Sequence, residues 1–177
     1  MGDALTVALV GKETAGSRFE ALYRSCAQDV YAYVASLLRD RSAAEDITAL
    51  AFERAFRRRR TFDARRGSER AWLFGIARNA ALDELRRRRR TAALAADPED
   101  PASMEDNDDN EGAARRMTVR AALAALEPRD RELIGLKFHA GLSNAEIAAV
   151  LGVSPSNAGT RLHRAVARLR EACRVPC

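Results

Sequence analysis

Apolar residues recur at three- and four-residue steps along most of this chain, the spacing that lays one side of a helix against a core. Phe19, Leu22, Tyr23, Cys26, Val30, Tyr33, Val34 and Leu37 predict a first long amphipathic helix, which Ser17 is placed to cap and which Asp40 and Arg41 break. Residues 1–15 carry no capping signal and read as a loose lead-in. Ser42 and Glu45 have the spacing of a capping box, predicting a second helix with Ile47, Leu50, Ala51 and Ala55 inward. Phe52 and Phe56, one turn apart, form a second apolar strip on it. Periodicity lapses over residues 61–67 (TFDARRG), a short loop. A third helix starts near Ser68; Leu73, Ile76, Ala77, Ala80 and Leu85 cover a core while Trp72, Asn79, Asp83 and Arg86 share another face. It ends in five consecutive arginines, Arg86 to Arg90.

After a stretch without periodicity, Thr118 is placed to cap a helix that turns Val119, Ala122, Leu123 and Leu126 inward, and Glu127-Pro128 restarts the chain into RDRELIGLKFHAG. Two short helices with a tight turn between them follow, in GLSNAEIAAVLGVSPSNAGTRLHRAVARLR. Ser143 and Glu146 make a capping box for the first. Gly152 sits where a helix end needs positive φ, and Ser154-Pro155 supplies an N-cap and a first-turn proline for the second. On that second helix Ala158, Leu162, Ala165, Val166 and Leu169 share the inward side, leaving Asn157, Thr160, Arg161, Arg164 and Arg168 outward. This is the order of parts of a helix-turn-helix, whose second helix fits the major groove of DNA. The bland alternative is a helical hairpin with a solvated arginine face.

The fold class is therefore all-α, with two small helical domains, residues 16–91 and 118–174, joined by a flexible acidic linker at residues 92–117. Charge sharpens that division. The net charge of +5 is distributed as +7 over residues 1–91, −6 over residues 92–117 and +4 over the remainder, so two basic blocks suited to a polyanion flank one that repels it. The linker, with Pro98, Pro101 and eight carboxylates, leaves the separation of the blocks to whatever they bind. Trp72 is either a core anchor or, beside the basic helix, a platform for a nucleic-acid base, an interaction of about 1–3 kcal/mol per base.

Other chemistry finds little support. Cys26, Cys173 and Cys177 form no metal-ligand set with the two histidines, and no phosphate-cradling glycine loop or nucleophile-base pairing occurs, so no metal, cofactor, catalytic residue or small-molecule substrate is expected. Cys26 falls on an apolar face; Cys173 and Cys177 read as a reduced tail, with a redox role as the alternative. No signal-peptide pattern or membrane-spanning apolar run occurs, which predicts a cytosolic protein without membrane insertion. A dimeric regulator reading paired half-sites and a single-strand binder using Trp72 and the arginines stay open at this point.

Four pieces in order, AEDITALAFERAF, AWLFGIARNAALDELRRRRR, LAALEPRDRELIGLKFHAGLSNAEIAAVLGVS and TRLHRAVARLR, resemble the extracytoplasmic-function sigma factors, small bacterial initiation factors built from sigma regions 2 and 4. The resemblance implies a non-enzymatic subunit that binds core RNA polymerase, directs promoter-specific initiation and answers to an anti-sigma factor. It implies that Glu45, Asp46, Leu50 and Phe52 dock on the polymerase clamp coiled coil, with the second domain near the flap. Phe62, Arg65, Ser68, Trp72, Asn79, Asp83 and Arg86 would open the minus-ten element and hold its non-template strand. Ser156, Asn157, Thr160, Arg161, His163 and Arg164 would meet the minus-thirty-five element. Two positions depart from the family pattern: Gly159 stands where relatives often have a lysine or arginine, and Asn157 where threonine is common.

Overall fold

The computed structural model describes the backbone of residues 3–94 and 111–174 and the side chains of residues 17–93 and 116–174. Among the described residues all regular structure is helical: α1 (Asp3–Leu38), α2 (Arg41–Arg58), α3 (Glu69–Leu94), α4 (Glu111–Ala125), α5 (Pro128–Phe138), α6 (Asn144–Leu151) and α7 (Pro155–Ala172). The all-α expectation holds.

Helices α1, α2 and α3 pack on one another, and α5, α6 and α7 form a second group that α4 joins through α7. In the first group, buried Val30, Val34, Ile47 and Leu73 interleave with Ala44, Ala51, Ala55, Ala77, Ala80 and Ala81. Small side chains at the contacts let the helices approach closely, which is how a chain poor in aromatic residues fills a core. Tyr33 and Phe74 meet edge to face at 5.5 Å between centroids. In the second group Leu133, Leu136, Leu142, Ile147, Ala158, Leu162 and Ala165 are buried. Buried Arg131 closes the end of α4, donating to the carbonyls of Leu123, Ala124 and Leu126 at 2.8–2.9 Å. A charge is tolerated there because the last carbonyls of a helix lack intrahelical donors.

Several boundaries differ from those the pattern predicts. Helix α1 begins at Asp3, so residues 3–15 are helical and Ser17 lies inside the helix. No proline interrupts this stretch to stop it. Helix α2 is capped by Asp40, whose carboxylate accepts from the Ala43 N–H at 3.0 Å; Ser42 lies within the helix. The preceding Arg39 adopts φ +55°, and the helix starts two residues earlier than a Ser42 cap would place it. Thr118 lies inside α4, and α3 continues to Leu94, so both ends of the predicted linker are helical. Residues 95–110, the rest of it, lie outside the described residues.

The two groups are also docked rather than independent. Helix α5 packs on α1 and α6 on α3, and the buried residues form one continuous cluster.

Candidate nucleic-acid interface

The helix-turn-helix is built as its sequence dictates. The Ser143 hydroxyl accepts from the Glu146 N–H at 3.3 Å and the Glu146 carboxylate accepts from the Ser143 N–H at 2.9 Å. Gly152 ends α6 with φ +67°, a conformation that favours glycine. Ser154 caps α7 by accepting from the Asn157 N–H at 3.3 Å, with Pro155 in the first turn. Ala158, Leu162 and Ala165 are buried, which aims Ser156, Asn157, Thr160, Arg161, His163 and Arg164 outward; all six are exposed. Among the described residues Arg161 and Arg164 have no carboxylate partner, so both guanidiniums are available to an external anion. Arg168 differs: it pairs at 2.5 Å with the largely buried Asp130 and serves the fold of the second group.

A second polar surface surrounds the start of α3. Asp63 accepts from the Arg65 backbone and side chain at 3.0 Å, organising the turn that leads into Gly67 at φ +143°. Arg65 and its backbone N–H hold the Asp63 carboxyl below the usual carboxylate range. Ser68 caps α3 by accepting from the Ala71 N–H at 3.1 Å. Phe62 and Trp72 then stand 5.6 Å apart, tilted by 55°, beside a cleft of about 540 Å³ that also reaches Ser68, Gly75 and Asn79. Trp72 is half-buried, so it is a core anchor on one side and a wall of the cleft on the other. The structure thus brings Phe62, Ser68, Trp72 and Asn79 around one cleft. Asp83 and Arg86 pair with each other at 3.0 Å, more than one turn along α3.

The arginine run is less free than its sequence suggests. Arg87 and Arg88 both bind Glu84, at 2.7 and 2.8 Å, and Arg88 also binds Asp40 at 2.8 Å. The hydrogen bond from Arg87, reinforced by Arg88, pulls the Glu84 carboxyl from 4.5 to about 2. Arg89 and Arg90 have no partner among the described residues and extend the basic surface beyond α3's polar face.

On α2, Glu45 and Asp46 are exposed and Leu50 is partly so, whereas Phe52 is only 6% exposed. Phe52 supports an aromatic group instead, 4.8 Å from Tyr23 and 6.4 Å from Phe19. Tyr23 (50% exposed) and Phe56 (44%) are its open members. The helical spacing of Tyr23 predicts a core position; the signal in the sequence that points the other way is the Phe52–Phe56 strip, which marks a second apolar face on α2.

Comparison with known proteins identifies the family. Residues 22–91 match the family model of sigma-70 region 2, and residues 116–169 match that of sigma-70 region 4. The chain is 32% identical over 151 residues to the ECF RNA polymerase sigma factor SigL of Mycobacterium tuberculosis, covering 85% of each protein. It is 34% identical over 163 residues to the RNA polymerase sigma factor CarQ of Myxococcus xanthus, covering 90% of this chain and 91% of that one. Among solved structures, the sigma factor RpoE of Bartonella quintana, in complex with the anti-sigma factor NepR, superposes with a TM-score of 0.79 at 24% identity, over 90% of this chain and 99% of that one. CnrH, in complex with the cytosolic domain of CnrY, gives 0.63 at 28% identity, over 92% and 94%. Both sigma regions in their family order, with relatives matched over most of their length, establish that the chain belongs to the extracytoplasmic-function RNA polymerase sigma factors.

Proposed function

We propose that this sigma factor divides its work between three surfaces. Residues 16–91 bind core polymerase through the α2 face, with Glu45, Asp46 and Leu50 at the clamp coiled coil and Phe52 backing Tyr23 from beneath. The Phe62–Trp72 cleft captures a base extruded from the minus-ten element, and Ser68, Asn79, Arg65, Asp83 and Arg86 contact the displaced strand. Residues 118–174 read the minus-thirty-five element through Ser156, Asn157, Thr160, His163 and Arg164, with Arg161 on phosphate, and meet the flap. Polymerase contributes tethering, so neither DNA surface need bind tightly alone. A cognate anti-sigma factor controls the protein in the cytoplasm; the fold shared with an inhibitor-bound RpoE supports this. None of these surfaces does covalent chemistry. Among the described residues no helix is long and apolar enough to cross a membrane.

The observation that carries the reading is the pairing of an aromatic-walled cleft on α3 with an exposed polar face on α7, whose Arg161 and Arg164 have no carboxylate partner among the described residues. Extruding a base costs a few kcal/mol, which a stacking surface offsets and a simple duplex-binding regulator does not need. Permanganate reactivity of unpaired thymines in a promoter bound by the reconstituted holoenzyme tests it. Trp72→Ala is expected to lose about tenfold or more in opening, the equivalent of one stacked base, while duplex binding persists. Opening at the wild-type level by Trp72→Ala removes the cleft from the mechanism.

A further inference from the structure

We propose that a second cavity beside the Phe62–Trp72 pair is a binding site for a free nucleoside diphosphate, with its base against the aromatic rings and its phosphates on Arg59 and Arg60. The cavity measures about 350 Å³ and is enclosed by α1 at Arg18 and Phe19, by the turn after α2 at Arg59 and Arg60, and by α3 at Glu69 and Trp72. Sites for small molecules span about 300–1,000 Å³, so there is room for one compact ligand. Phe62 and Trp72 line this cavity as well as the cleft that holds Ser68 and Asn79, but the arginines and Glu69 line this cavity alone.

The charges around it do not balance. Three guanidiniums face one carboxylate, and that carboxylate is already taken: Arg18 pairs with Glu69 at 2.9 Å and stands 5.7 Å from the centre of the Phe62 ring. Arg59 is fixed in place by a hydrogen bond to the Phe56 carbonyl at 2.7 Å and by its seat 4.0 Å over the Phe56 ring, with no carboxylate partner among the described residues. Arg60 is exposed and has no partner among them at all. Two adjacent like charges left in this way repel each other unless an anion joins them, and guanidiniums suit phosphate because each can donate two parallel hydrogen bonds. The rest of the lining points to a planar ring. Phe19, Phe62 and Trp72 are all half-buried, so each turns part of its surface to the cavity. An inorganic anion has no use for three aromatic residues, and an apolar ligand has none for two free guanidiniums. A nucleotide uses both, and the two neighbouring arginines match two phosphoryl groups.

Trp72 is the sole tryptophan of the chain, so its fluorescence reports directly on a ring arriving beside it. The full-length protein is titrated with ADP and with GDP, and with adenosine and pyrophosphate as the two halves of the ligand. At least one of the diphosphates is expected to quench Trp72 with half-saturation below about 1 mM. Adenosine and pyrophosphate should each bind about tenfold more weakly or worse, since each lacks either the phosphate contacts or the stacking. Arg60→Ala, an exposed position whose variant circular dichroism will show to be folded, should weaken the diphosphate by about tenfold. Asn79→Ala, on the other cleft, should leave it unchanged. Absence of a saturable change with either diphosphate overturns the proposal. So does pyrophosphate binding as tightly as the nucleotide, which would reduce the site to a basic patch. Diphosphate binding lost in Asn79→Ala and kept in Arg60→Ala would put the ligand in the other cleft. A single-stranded oligothymidine that binds through Arg60 while both diphosphates fail would assign the arginines to a DNA strand instead. Because the titration contains no polymerase or promoter, a failure of the sigma mechanism proposed above would leave its outcome unaffected.

Discussion

Asn157 and Arg161 sit four residues apart on one exposed face, yet their chemistry assigns them different work. An asparagine amide can bond an adenine edge in two places, while an arginine beside the backbone neutralises phosphate without reading sequence. Asn157→Ala is therefore expected to change base preference at one minus-thirty-five position. Arg161→Ala should weaken binding evenly across sequences and lower the salt slope by about 1. Binding selections at two salt concentrations separate the two outcomes. A second residue-scale prediction concerns Glu84, whose carboxyl the Arg87 and Arg88 hydrogen bonds hold at about 2. Because this lies below the unfolded value, the charged form contributes stability that is fully present above pH about 4.5 and is lost as pH falls towards about 2. Glu84→Gln should lower stability at neutral pH and flatten the acid limb between those values, as urea titrations across pH will record.

At the scale of elements, what was legible in the sequence was what local chemistry decides. The Ser143–Glu146 box, the Gly152 turn and the Ser154-Pro155 start of α7 each involve neighbours within a few residues, and each is present. The start of α2 was not legible. Asp40 and Ser42 are both good caps, and the choice involves the Arg39 turn and the bond from Arg88, forty-eight residues away, to the other Asp40 oxygen. Likewise Tyr23 has helical core spacing but stands open: one side of its ring meets buried Phe52 of α2, and the rest of it is exposed. Gly159 gives this scale its prediction. It lies within α7 without a positive φ, and a Cβ there would make ordinary contact with the Asn144 side chain at 3.4 Å. Nothing in the fold requires glycine, so Gly159→Ala should stabilise the second half by up to about 1 kcal/mol, read as a higher urea midpoint with unchanged slope.

For the whole molecule, the charge blocks anticipated two basic units but said nothing of their docking. Contacts such as Arg78–Glu132 and Gly135–Tyr33 join positions that no periodicity relates, and Gly135 reads in the sequence only as a weak point in a helix. The Phe62–Trp72 cleft was legible in part. Trp72 and Asn79 share a face by spacing, whereas the Phe62 ring joins them only because the turn ending at Gly67 folds back onto α3. The central claim remains that one chain joins polymerase to two promoter elements. Run-off transcription from a pool of genomic fragments, with core polymerase in the presence and absence of the chain, tests it most directly. The account predicts discrete start sites only when both are present, with two shared sequence elements upstream of them. No chain-dependent start sites, together with a shift of duplex DNA by the chain alone, would contradict it.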